Sequence, residues 1–191
     1  GDAIKRWDWI DKRRAELTSA PLRRIVDLFF ADDNFRLAFE KTPGSVSGHH
    51  AKLGGLLLHV FEVTSIARQS ARTMGADVDL VVAGALLHDV GKVEAYGIDG
   101  GRFINTPCGL LLGHVVLGCL MLERRLATAG HAAGQMVCTD EQLLDVQHMI
   151  LSHHGSLEFG SPVQPMTTEA EIVHWADEAS AKANDMIESL D

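Results

Sequence analysis

Apolar residues recur along this chain at the spacing of a helix face, and almost nowhere at the alternation of a strand. From Gly54 to Met74, the residues Leu56, Val60, Val63, Ala67, Ala71 and Met74 fall on one face, which predicts a long helix lying against a core. Leu80, Val81, Val82, Ala83, Ala85, Leu86 and Leu87 are apolar all round, so the helix they form must be buried on every side, with Asp77 or Asp79 to cap its start and Gly91 to end it. Residues 3–16 and 21–40 read as two amphipathic helices, the second introduced by Ser19 and Pro21. Further helices are expected over 110–127, 140–154 and 168–189, the last two opened by the capping-box pairs Thr139 with Gln142 and Thr168 with Glu171. Residues 42–48, 130–134 and 155–165 carry the Gly and Pro of loops, and 96–107 reads as a loop or short hairpin. The fold class implied is all-α, a helical bundle.

A chain of 191 residues, 46 % hydrophobic, can build one core, so a single domain is expected. The formal charge is −9, and Lys12, Arg13, Arg14, Arg23 and Arg24 are interleaved with acids, which argues against a grip on duplex DNA. Bound divalent cations would invert that charge locally, so an anionic substrate remains possible at one spot. Cys108, Cys119 and Cys138 lack disulfide or zinc-type pairing, the longest apolar run is too short to span a membrane, and a cytoplasmic protein is the expectation.

The ten His residues are where chemistry concentrates. Singly, His59, His114 and His174 read as hydrogen-bonded core or boundary residues, and His131 and His148 as surface ones. His88 and Asp89 are different, because they follow a fully apolar helix and an unpaired carboxylate there costs several kcal/mol, of the order of ~3, in desolvation. A metal ion meets that need economically: Asp89 can offer one oxygen to each of two ions while His88 supplies a neutral nitrogen. His153 and His154 close a helix, and since neighbours differ by about 100° both turn inward only at a frayed end, which Gly155 permits. Asp177 lies between Val173 and Ala181 on an apolar face, where an acid also wants a cation.

The order His59, His88-Asp89, Asp177 resembles the H…HD…D signature of the HD superfamily. The surrounding words sharpen the likeness: His49-His50-Ala51 with Leu53-Gly54-Gly55-Leu56-Leu57, Gly84 to Lys92, Leu112-Gly113-His114, Ile150 to Gly155, and Phe159-Gly160-Ser161-Pro162. Over about residues 20–188 these are similar to the HD domain of bacterial 3'-to-5' exoribonucleases. The resemblance implies an HD-type helical bundle with a buried metal site, one domain over 1–191 in which N-terminal helices (1–45) pack on a catalytic core (46–191).

It further implies that His59, His88, Asp89 and Asp177 hold one ion, and Asp89, His114, His153 and His154 a second. Imidazole-rich sets of this kind suit Mn, Fe, Co, Ni or Zn. Lys92, about a turn beyond Asp89, is placed to contact substrate phosphate, and His50 and Ser161 to line the pocket, with Asp89 and Lys92 the catalytic residues. The expected activity is hydrolysis of phosphate esters of nucleotides or short single-stranded nucleic acid by metal-activated water. Two departures stand out. Leu58 occupies a position where relatives often carry Glu, and this sequence holds no OB-type module, the usual route to gripping single strands. Two other readings follow from the same residues: a di-iron oxygenase of HD type, and a regulatory HD domain without turnover. The words around His153-His154 and Phe159 to Pro162 favour the hydrolase, and a degenerate regulatory site is expected to have lost ligands that are all in place here.

Overall fold

Side-chain caps set most of the helix starts. The structure, a computed structural model, describes residues 1–48 and 50–190, so His49 lies outside the described residues. Helix α1 (Asp2–Glu16) leads to α2 (Ala20–Phe30), where the Ser19 hydroxyl accepts from the Leu22 amide and Pro21 occupies the first turn. The single helix expected over 21–40 is in fact two. The chain breaks at Ala31, and the Asp32 carboxylate accepts from the Asn34 and Phe35 amides to start α3 (Asp33–Lys41). Phe29, Phe30, Phe35 and Phe39 are buried on both sides of the break, so apolar periodicity continues through it and hides it.

Helix α4 (Gly55–Met74) is followed by α5 (Val78–Leu87). Of the two candidate caps, Asp77 accepts from the Leu80 amide, whereas Asp79 turns back to accept from Thr18 and Ser19 and ties down the α1–α2 loop. One turn, α6 (Lys92–Ala95), precedes a hairpin of β1 (Tyr96–Asp99) and β2 (Arg102–Asn105), with Tyr96 opposite Asn105. Helix α7 (Pro107–Ala133) outruns the expected 110–127 at both ends: Thr106 caps it, and it passes Gly130 to stop at Gly134 in the left-handed region (φ 66°). Helix α8 (Asp140–Ser152) opens on the Thr139–Gln142 capping box. Helix α9 (Thr168–Glu188) is capped by Thr167, one residue before the expected start.

Gly91 is not a helix terminator. Its φ of −60° and ψ of −23° are right-handed, and its missing side chain serves close approach instead: a Cβ there would overlap the His114 carbonyl oxygen and crowd the Gly118 amide. Through this contact α7 lies directly against the turn that follows Asp89.

α4 packs on α5 and α9, and α5 also meets α2 and α8. Leu86 and Leu87 are fully buried, and each such side chain contributes about 1.5–3 kcal/mol. One apolar cluster runs from Trp7 in α1 to Ala176 in α9. The N-terminal helices join it through Trp7, whose ring meets Phe30 and Phe39 and whose Nε1 donates to Glu40. Among the described residues, no helix is long and apolar enough to cross a membrane.

Candidate metal centre

Five helices deliver polar side chains to one place in this core. His59 comes from the buried face of α4, His88 and Asp89 from the C-terminal end of α5, His114 from α7, His153 and His154 from the end of α8, and Asp177 from α9. α7 is interrupted at Gly113 (φ 76°, ψ 154°), a conformation an L side chain resists, and the interruption sets the direction in which His114 projects. At the end of α8, His153 keeps right-handed angles and Gly155 takes φ 86°, so the two adjacent histidines both turn inward.

The donor atoms fall into two groups, His59, His88, Asp89 and Asp177, and His114, His153 and His154, each within 4.8 Å of one another. Asp89 faces both. Its Oδ2 lies 3.2 Å from His59 Nε2 and 3.3 Å from His88 Nε2, while its Oδ1 lies 3.4 Å from His114 Nε2 and 3.3 Å from His153 Nε2. Asp177 Oδ1 is 2.8 Å from His59 Nε2 and 3.4 Å from His88 Nε2, and the His114 and His154 Nε2 atoms are 3.0 Å apart.

The outer nitrogens explain the orientation. His88 Nδ1 donates to Ala85 O (2.6 Å) and His153 Nδ1 to Ile150 O (2.7 Å); a carbonyl only accepts, so these nitrogens carry the proton. His59 Nδ1 lies 3.0 Å from Ser180 Oγ. In the neutral rings of His88 and His153, Nε2 therefore presents a lone pair toward the lone pairs of a buried carboxylate. Asp89 and His153 Nε2 lack aligned hydrogen bonds for their close contacts, as that clash requires. Positive charge among these atoms resolves it: Lys92 Nζ meets Asp89 Oδ2, and the donor set around the two oxygens fits a divalent cation.

Electrostatics agree. Burial pulls the His88 imidazole down, but Asp89 and Asp177 outweigh it and push it up to about 10, so without a cation the first group holds a proton in its place. Burial raises the Asp89 and Asp177 carboxyls, yet Lys92 and His88 beside the former, and His59 and His88 beside the latter, hold both well below the usual range. Burial keeps His114 well below its ordinary value and, with His153, brings His154 down to about 4, so both stay neutral near pH 7.

Lys92 is buried, and its Nζ sits 2.7 Å from Asp89 Oδ2. His50 is buried in the layer behind His59: its ring edge meets the His59 ring at 5.1 Å, and its Nε2 lies 2.9 Å from Glu62. Ser161 is buried with its hydroxyl donating to Leu151 O, which fixes the loop after His154. His174 braces the same turn, its Nδ1 donating to His153 O and its ring filling the space that a Gly155 side chain would take. His131 is exposed, whereas His148 accepts from the Met166 amide and pins the segment before α9. Sequence reasoning missed Ser180 and Tyr96. The Tyr96 ring stands 6.5 Å from that of His114, and burial, partly offset by Lys92, raises its phenol above the ordinary value. Its one sequence signal is its spacing of four residues from Lys92.

A helical bundle that gathers His, His-Asp and Asp donors in this order defines an HD domain. The chain matches the HD domain family over residues 56–182, and it belongs to that family. Three proteins each named 3'-5' exoribonuclease YhaM are similar to it. The Bacillus subtilis protein is 35 % identical over 186 residues, covering 96 % of this chain and 56 % of its own length. That of Bacillus licheniformis is 38 % identical over 151 residues (78 % of this chain, 45 % of its own), and that of a Geobacillus species 31 % over 205 residues (96 % and 58 %). The chain thus spans about half the length of the curated relatives it matches. No solved structure matches it.

Proposed function

We propose that this chain is a divalent-metal phosphohydrolase domain, one HD-type unit in which residues 1–45 pack on a catalytic core of 46–191, and that it releases nucleotides from the 3' end of short single-stranded RNA. The observation that carries the reading is the division of the Asp89 carboxylate, one oxygen toward His59 and His88, the other toward His114 and His153. The names of the similar proteins supply the substrate class and the direction.

His59, His88, Asp89 and Asp177 would hold one ion, and Asp89, His114, His153 and His154 a second, drawn from Mn, Fe, Co, Ni or Zn. Such ions supply water activated near neutral pH and neutralise the phosphoryl oxygens of an in-line displacement. The carbonyls of Ala85 and Ile150 keep His88 and His153 in the tautomer that leaves Nε2 free to bind. Lys92, fixed against Asp89, adds a positive charge directed at phosphate, and Ser161 and His50 shape the wall by holding the 155–161 loop and the layer behind His59. Short substrates follow from charge: Arg14, Arg36, Arg68, Arg124 and Arg125 are each paired with an acid, on a chain of net charge −9.

Purified protein supplied with Mn or Co should hydrolyse bis-p-nitrophenyl phosphate, and chelator should abolish the rate. Absence of turnover with every divalent metal, on that diester and on nucleotides and oligonucleotides, would contradict the proposal in favour of a regulatory HD domain.

A further inference from the structure

We propose that Tyr96 is a substrate-binding residue whose hydroxyl donates a hydrogen bond to a non-bridging phosphoryl oxygen at the open side of the metal centre. The inference rests on the phosphoester reading above and adds to it a residue outside the HD signature.

Its backbone is held from two directions. The Tyr96 amide donates to Lys92 O, closing the single turn α6, and Tyr96 pairs with Asn105 at the base of the hairpin. The residue is thereby tied through the turn α6 to Lys92, which is itself paired with Asp89. Of the seven candidate donors, His59, His88, Asp89 and His153 are closed off from solvent, Asp177 is slightly open, and His114 and His154 are the most open. The widest opening among these donors is on the side of His114 and His154, where the Tyr96 ring stands 6.5 Å from that of His114 at 47°.

The residue is half-buried, and among the described residues its hydroxyl has no hydrogen-bond partner. The hydroxyl is not sealed in the core, so it stays open to a partner from outside the protein. A phosphoryl oxygen brought to the metal centre supplies an acceptor from outside the protein. The neutral phenol complements Lys92, whose charge is engaged with Asp89 from within the core. A donor at the rim can follow the phosphate without competing for the carboxylate that the metal ions need.

Tyr96 is the single tyrosine of the chain, so a tyrosine label reports on this position alone. Protein carrying 13Cζ-tyrosine and loaded with Zn should show one resonance that shifts as methyl phosphate, a ligand with no aromatic ring, is titrated in. Tyr96→Phe should bind methyl phosphate about tenfold more weakly by calorimetry, as expected for loss of a hydrogen bond to a charged group, with unchanged zinc stoichiometry. Methyl phosphate that saturates without moving the resonance, or that binds wild type and Tyr96→Phe equally, would overturn the assignment and leave the phosphohydrolase reading intact. Failure of methyl phosphate to bind either protein would overturn both. A shifted resonance in a protein without turnover would remove catalysis and keep the subsite.

Discussion

Lys92 Nζ lies 2.7 Å from Asp89 Oδ2, the same oxygen that His59 and His88 approach. The lysine and a first-site cation therefore draw on one carboxylate oxygen. Lys92→Met removes the competing charge, so it should bind the first metal at least as tightly as wild type. If Lys92 acts on phosphate as proposed, the variant should also hydrolyse the diester about tenfold more slowly, and its metal-free form should lose about 3 kcal/mol for the broken buried pair. Metal titration, steady-state rates and denaturation of the metal-free protein check the three parts. Weaker first-site binding would show that Lys92 supports the site instead of competing with it.

Gly91 holds α7 against the turn after Asp89 with no room for a side chain. Gly91→Ala should force the His114 backbone away, costing about 2–3 kcal/mol and loosening the second metal before the first. Thermal melting together with metal content per chain measures this. A variant as stable as wild type, with both metals retained, would mean that α7 is free to shift.

The site was far more legible in the sequence than the boundaries around it. His88-Asp89 after an all-apolar helix calls for a positive partner, an argument that needs only the sequence, and in the structure Lys92 meets Asp89 at 2.7 Å with the other His and Asp donors gathered around it. The break between α2 and α3 was not legible, because Phe29, Phe30, Phe35 and Phe39 continue one apolar face across it and the only sign is Asp32 in capping position. Gly91 was misread because a glycine after a helix signals a left-handed cap, whereas its reason here is a helix remote in sequence. Ser180 gave no signal and Tyr96 only its spacing of four residues from Lys92, since a serine mid-helix and a tyrosine before a hairpin acquire meaning only when His59 and His114 are brought beside them.

Asp11 receives Arg14 at 2.6 Å and Arg36 at 2.7 Å, joining α1 to α3. Burial would raise its carboxyl, but the two guanidinium groups outweigh burial and hold it below its ordinary value of 3.8. A carboxyl lowered on folding contributes stability that is present above the unfolded value and lost as pH falls through the folded one. Asp11→Asn should thus cost about 1 kcal/mol at pH 7, modest because the carboxylate is partly exposed, and the gap to wild type should close below pH ~3.8. Chemical denaturation across that range tests it, and a pH-independent gap would contradict the ion-pair explanation.

With Arg14, Arg36, Arg68, Arg124 and Arg125 paired internally and a net charge of −9, this chain should hold single-stranded RNA through few phosphates. Binding should weaken only gently with salt, with a log–log slope of about −1.5 or shallower, corresponding to about two neutralised phosphates. Degradation should be distributive, liberating mononucleotides from many molecules at once. A tight, metal-independent complex with long RNA would contradict this.

The central claim is that Asp89 joins two metal sites, and metal stoichiometry per chain tests it most directly. Wild type should bind two ions. Asp89→Ala should lose both and all turnover, while His114→Ala and His153→Ala should each retain the first ion, with circular dichroism confirming that every variant is folded. A folded Asp89→Ala that still bound two ions per chain would contradict the bridging role.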